Sequence, residues 1–313
     1  MQKSRGKRKQ KKINGLLVGF IVLIGLVVVW FFSSFFQDGG YQLPEIKKMT
    51  LVTKIELRKG VGELVTIVFT NSNWIIPPEG YIADKNVVED MVDKIKNFSL
   101  SDLVSRGGNL ASFNLDENNR VEVKAYEGDK LSLHFYMGKT SPTFRHTYVM
   151  INGDRNIYQA KGNFNYLFDR SPDSIKSMTM CTIPSEEVEN IEITEGGRKY
   201  TVKKIMEKGE QTNKESIVWK ASWKKENLEK EKWEDFLRKI TPLSASGVKK
   251  GVFNEKEGFI RKIEIRSAKE KVVIFILKQD RDKTYVAGVR GNPALFQLSE
   301  QRGKELLTEM GKF

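Results

Sequence analysis

The chain has 313 residues and a formal net charge of +13, with 53 Lys and Arg against 40 Asp and Glu, two His and one Cys. A single cysteine, Cys181, excludes an internal disulfide, so any folded body must be held by its core, and the length is enough for one or two cores. Two histidines, His134 and His146, leave little material for a zinc site, which usually takes three or four His, Cys or carboxylate ligands.

Residues 1–14 form a basic tail. Lys3, Arg5, Lys7, Arg8, Lys9, Lys11 and Lys12 place seven positive charges in the first twelve residues with no acidic residue among them. Residues 15–36, GLLVGFIVLIGLVVVWFFSSFF, then carry no charge at all. At about 1.5 Å per residue a helix of this length covers the roughly 30 Å core of a bilayer, so the segment is expected to be a transmembrane helix. Juxtamembrane Lys and Arg stay on the cytoplasmic side, which puts the N-terminus inside and the body outside. The rival reading is a cleaved signal peptide. Its apolar core would be about 7–15 residues long and would end in small residues, whereas this one closes on Phe31, Phe32, Phe35 and Phe36. An uncleaved signal anchor is therefore expected, and the basic tail is explained by topology without nucleic acid. Gly15 and Gly19 form a Gly-x-x-x-Gly and are candidate helix-pairing positions.

Residues 37–50 read as a juxtamembrane linker, and a first lobe is expected over 51–170. Alternating apolar residues in 52–57 and 63–70 flank a glycine turn and predict two antiparallel strands, extended by Trp74-Ile75-Ile76. Asp84 is placed to cap a helix whose apolar positions Val87, Val88, Met91, Val92, Ile95 and Phe98 recur at helical spacing. Period-two patterns return at 121–125 and 131–137, and Asn152-Gly153 marks a hairpin between 148–151 and 157–160. Met137-Gly138-Lys139-Thr140 ends like a phosphate loop, but the first glycine of that pattern would fall at Leu133 and no helix follows, so a turn is expected.

Residues 171–184 read as a connector and 185–313 as a second lobe that repeats the same plan. Strand patterns at 188–194, 200–205 and 218–221 precede a helix with Trp233, Phe236, Leu237 and Ile240 on one stripe. Further strands follow at 263–265, 272–277, 285–289 and 295–298. Trp74 corresponds to Trp219, the first helix to the second, and Tyr148-Val149 to Tyr285-Val286. The expected fold class is α+β: one N-terminal transmembrane helix followed by two similar lobes, each an antiparallel sheet with a packed helix, from an internal duplication.

Trp74, Pro77-Pro78, Ala83-Asp84, Val88, Leu103-Val104, Phe113-Asn114-Leu115-Asp116, Gly138, Tyr148-Val149 and Tyr158 together resemble the uncharacterised bacterial DUF4340 family over about residues 50–170, with a weaker copy after it. The family often has Tyr-Gly-Leu-x-x-Pro where this chain has Phe113-Asn114-Leu115-Asp116-Glu117-Asn118, so that loop lacks both the Gly and the Pro. The resemblance implies one N-terminal span and an auxiliary role beside ABC-2 type exporters of the gliding-motility kind, with a permease and ATPase as partners. It supplies no catalytic residue.

No catalytic, cofactor or metal residues are expected, and the chain is read as a non-enzyme. His134 lies opposite the Leu131, Leu133, Phe135 face of its strand and is expected on the outer side. No Gly-x-Ser-x-Gly occurs, and the many carboxylates fit a charged surface. Trp219, Trp223 and Trp233 are candidate exposed aromatics; Trp219 and Trp223 form a candidate partner or ligand surface, with core packing expected for at least two of the three. The leading functional expectation is a membrane-anchored, extracytoplasmic accessory or binding protein, a non-catalytic partner of an ABC-2 type exporter in the cytoplasmic membrane, periplasmic in a Gram-negative cell. The alternatives are a free-standing envelope module for glycan or lipid, and an envelope enzyme with an unrecognised site.

Overall fold

A computed structural model of the chain describes residues 18–31, 41–208 and 215–313. The chain divides into two compact units, Met1–Glu45 and Ile46–Phe313. In the first, residues 18–31 form a helix, α1, whose apolar side chains are exposed throughout. Gly19 lies on α1 with nothing within 4 Å of where a Cβ would stand; Gly15 and both ends of the expected span lie outside the described residues. Among the described residues, no helix is long and apolar enough to cross a membrane.

The second unit holds two large antiparallel sheets. The first is entered through β1 (Lys54–Lys59), β2 (Leu64–Thr70), β3 (Asn73–Ile76) and β4 (Tyr81–Ile82), followed by helix α2 (Lys85–Lys96) and strand β5 (Leu100–Ser105). Strands β6 (Val121–Glu127), β7 (Lys130–Thr140), β8 (His146–Ile151) and β9 (Ile157–Lys161) and the short helix α3 (Asn165–Phe168) complete it. The spatial order is β4-β3-β2-β1-β6-β7-β8-β9-β5.

Alternation decides which face of this sheet is buried. The register sets Ile55 opposite Ile67 and Ala125, and Leu57 opposite Val65 and Val123, so one face of the central strands is wholly apolar. α2 starts as the sequence predicts: the Asp84 carboxylate accepts from the amides of Asn86 and Val87. Its stripe of Val88, Met91 and Ile95 is buried; each such side chain contributes about 1.5–3 kcal/mol relative to exposure. Phe98 stacks on Phe135 at 4.5 Å, and Phe164 and Phe168 meet the same ring edge-on.

The second sheet contains β11 (Asn190–Glu195), β12 (Arg198–Lys208), β13 (Glu215–Ala221), β15 (Gly247–Val252), β16 (Arg261–Arg266), β17 (Lys271–Gln279), β18 (Tyr285–Val289) and β19 (Asn292–Leu298). Helix α4 (Lys230–Ile240) lies between β13 and β15 in the chain, and α5 (Glu300–Leu306) follows β19. The order is β13-β12-β11-β16-β17-β18-β19-β15. Counted from its own first strand, this is the order of the first sheet without β4. Trp74 and Trp219 fall on corresponding strands, β3 and β13, and Tyr148-Val149 and Tyr285-Val286 on β8 and β18.

The two sheets are joined by a connector that includes β10 (Thr179–Cys181), paired with β14 (Leu243–Ser244). Cys181 is buried there, its sulfur 3.3 Å from the Thr241 hydroxyl. One expectation is corrected at this level: residues 137–140 are not a turn but the irregular end of β7, whose pairing with β8 shifts register between Met137 and Thr140. The shift lets the strand continue past Gly138.

Candidate ligand-binding cleft

A cleft with a cavity volume of about 360 Å³ opens where the β2–β3 turn, the start of α2, the connector and the start of β19 meet. Each wall follows from local sequence. Asn71 (φ 47°) and Ser72 (φ 64°) take the two left-handed positions of a tight turn between β2 and β3, the arrangement that matches strand twist in two-residue hairpins. That turn fixes Phe69 and Trp74 as cross-strand partners, ring centroids 5.2 Å apart. Trp74 is buried, while Phe69 remains 45% exposed over the cleft.

The second wall is the start of α2. Lys85 pairs with Glu89 at 3.6 Å one turn later, and Asn86 is exposed beside them. The third wall is the connector, held against the β4–α2 corner: the Asp84 amide donates to the Ile175 carbonyl at 2.7 Å and the Ser177 amide to the Ile82 carbonyl at 2.8 Å. This presents Thr179 and Thr182, both exposed, to the cavity. From the second sheet comes Asn292, buried, its side-chain oxygen accepting from the Ala294 amide at 3.0 Å. The Tyr81 hydroxyl donates to the Gly251 carbonyl at 2.8 Å and ties the two sheets together near this edge. The lining is thus mainly neutral and hydrogen-bonding, around an aromatic floor.

The tryptophans expected as an exposed surface are placed otherwise. Trp219 is only 1% exposed and Trp233 is fully buried, their rings 6.1 Å apart. The reason is α4, which packs on β13 and seats Trp233, Phe236, Leu237 and Ile240 there, turning Trp219 inward. Trp223 is half-buried and meets Tyr200 edge-on at 5.4 Å. Trp219 still borders a second cavity of about 360 Å³ with Ile217, Leu237, Lys204 and Arg238. Core packing, the other role expected for these residues, is what Trp219 and Trp233 perform.

His134 lies opposite Phe135 as expected, and its ring bonds to Glu122 at 2.9 Å. Burial pushes the Glu122 carboxyl up, but the hydrogen bonds and charges of Arg58 and Lys124 outweigh it and hold the group below the usual carboxylate range. Burial also holds His134 below its ordinary value, against the opposing pull of Glu122. The cluster is a satisfied ion network on the sheet face away from α2. Burial raises the Cys181 thiol. Among the described residues, no three His, Cys, Asp or Glu are grouped to hold a metal ion.

Sequence reasoning named Trp74 and Asp84 only as scaffold and cap and missed the cleft. The available signal was Asn71-Ser72, a turn pair two residues after Phe69.

A family model described as "Domain of unknown function (DUF4340)" matches residues 74–259. No curated protein and no solved structure matches the chain.

Proposed function

The chain belongs to the DUF4340 family, and on that premise we propose that it is a membrane-anchored, extracytoplasmic binding protein that serves as a non-catalytic partner of an ABC-2 type exporter. The observation that carries the binding role is the aromatic-floored cleft of about 360 Å³ beside the connector, lined mainly by neutral side chains with Asp84, Lys85 and Glu89 at its helix wall. A site of that size and lining holds a ligand by shape and hydrogen bonds. The repeated strand order supports an internal duplication, in which two copies of one sheet-and-helix plan flank a site that neither would form alone. The uncharged 15–36 segment behind a basic tail supports the anchor and its orientation. The exporter partnership comes from the family resemblance.

The test is purification of the full-length protein from native membranes in mild detergent, with identification of what accompanies it by mass spectrometry. Recovery of a permease and its ATPase, lost when residues 15–36 are replaced by an unrelated span, is the expected outcome. Recovery of the protein alone overturns the partnership. A second reading, a free-standing envelope module for glycan or lipid, survives that result, and the polar lining of the cleft favours its glycan form.

A further inference from the structure

We propose that the cleft between the β2–β3 turn, α2 and the connector binds an uncharged sugar unit. The inference rests on reading the second unit as a binding module, but not on the exporter partnership. A pyranose ring offers a flat patch of C–H bonds on each face and a rim of hydroxyls that both donate and accept. Its recognition calls for an accessible aromatic face and neutral hydrogen-bonding side chains around it.

The cleft supplies both. Phe69 is 45% exposed and its ring packs at a tilt on Trp74, centroids 5.2 Å apart, which leaves an accessible apolar ring face beside the cleft. Around it, the Ser72 hydroxyl, the Asn86 side-chain carboxamide and the Thr179 hydroxyl have no hydrogen-bond partner among the described residues, and all three residues are exposed. They provide donors and acceptors that a ring of hydroxyls can satisfy at once. The volume of about 360 Å³ is at the lower end of small-molecule sites, roughly 300–1,000 Å³, and suits one or two sugar units.

The same geometry argues against other ligand classes. An anion would seek the amides at the start of α2, but the Asp84 carboxylate already accepts from Asn86 at 2.9 Å and Val87 at 3.2 Å. A cation would need several carboxylates, and Glu89 is engaged by Lys85 at 3.6 Å. An acyl chain would find Ser, Asn and Thr where it needs apolar walls.

The experiment is a titration of the full-length protein in detergent micelles with glucose, N-acetylglucosamine, maltose and chitobiose, with inorganic phosphate as the charged control. Binding is read by saturation-transfer NMR on the sugar and by tryptophan fluorescence. Saturable binding of at least one sugar is expected, weakened about tenfold, the equivalent of about 1.4 kcal/mol, by Phe69→Ala and independently by Asn86→Ala. Both positions are exposed, and unchanged melting temperatures show that the variants are folded. No saturable binding to any of the four sugars up to the order of 10 mM, binding indifferent to both variants, or phosphate binding that competes with the sugar each overturns the proposal. Sugar binding without a co-purifying permease removes the exporter reading alone; a co-purifying permease without sugar binding removes this one alone.

Discussion

Asn114 holds φ at 55°, the left-handed region, at the end of a 3₁₀ turn over Leu110–Phe113. Asn tolerates that conformation better than most residues, and the loop that follows is braced by Asp116, whose carboxylate accepts from the Asn118 amide at 3.2 Å and the Asn119 side chain at 2.9 Å. The loop shaped in this way lowers Leu115 and Phe113 onto β7 at Gly138. A Cβ there would collide with the Phe113 carbonyl and approach the Leu115 side chain at 2.9 Å. Backbone cannot yield as a side-chain tip can, so Gly138→Ala is expected to cost about 1–3 kcal/mol, and a thermal melt should fall by several degrees; an unchanged midpoint would mean that the loop is not seated on β7. The sequence made Gly138 visible as a family position, but not the reason for it, because the contact is with a segment more than twenty residues earlier.

Helices α2 and α4 were legible from their periods, since each buries a single stripe, and most strands from alternation or, where both faces are buried as in β18, from a short apolar run. Strand β5 was not: Leu100–Ser105 carries Ser and Asp in its middle and gains its place only by pairing with β9. α5 was equally hidden, because its anchor is remote. Arg261 opens β16 in phase with Ile263 and Ile265 and is fully buried with them, although charged residues are rarely so placed. Its Nη1 donates to the Leu306 carbonyl at 2.9 Å and the Thr308 carbonyl at 2.8 Å, and Nη2 pairs with Glu195. The guanidinium thereby satisfies carbonyls that the end of α5 leaves without a helical partner. Arg261→Met should destabilise the protein by about 3 kcal/mol, since each buried acceptor left unmade costs about 1–3 kcal/mol, and hydrogen exchange should quicken selectively in residues 300–308. Equal protection in both proteins would refute the anchoring role.

At the scale of the whole molecule, the correspondence of Trp74 with Trp219 and of Tyr148-Val149 with Tyr285-Val286 is matched by the strand order of the two sheets, β4 apart, while the inter-sheet cleft was illegible because no local pattern states which turns will meet. Both sheets also place a flanked carboxylate on a polar face: Glu122 between Arg58 and Lys124, and Glu264 near Lys262 at 3.0 Å and Lys271. In each, burial raises the carboxyl but the basic neighbours prevail and lower it from 4.5. A depressed acid contributes stability above its unfolded value and loses it as pH falls through the folded one. His134 is lowered from 6.5; the unfolded chain therefore binds that proton more readily, which also favours unfolding as pH drops. Melting temperature should decline gently below about pH 6.5 and steeply below about pH 4.5, and a flat profile between pH 7 and 4 would contradict these assignments. The strand order has a further consequence, for biogenesis. Leu100 is paired with Ala160, and Gly247 with Gln297, so in both sheets an early strand waits beside an unfinished edge until the last strand has been synthesised. In each sheet that edge pairing therefore forms last, and a nascent chain stopped before residue 157 carries β5 with no neighbouring strand to receive it.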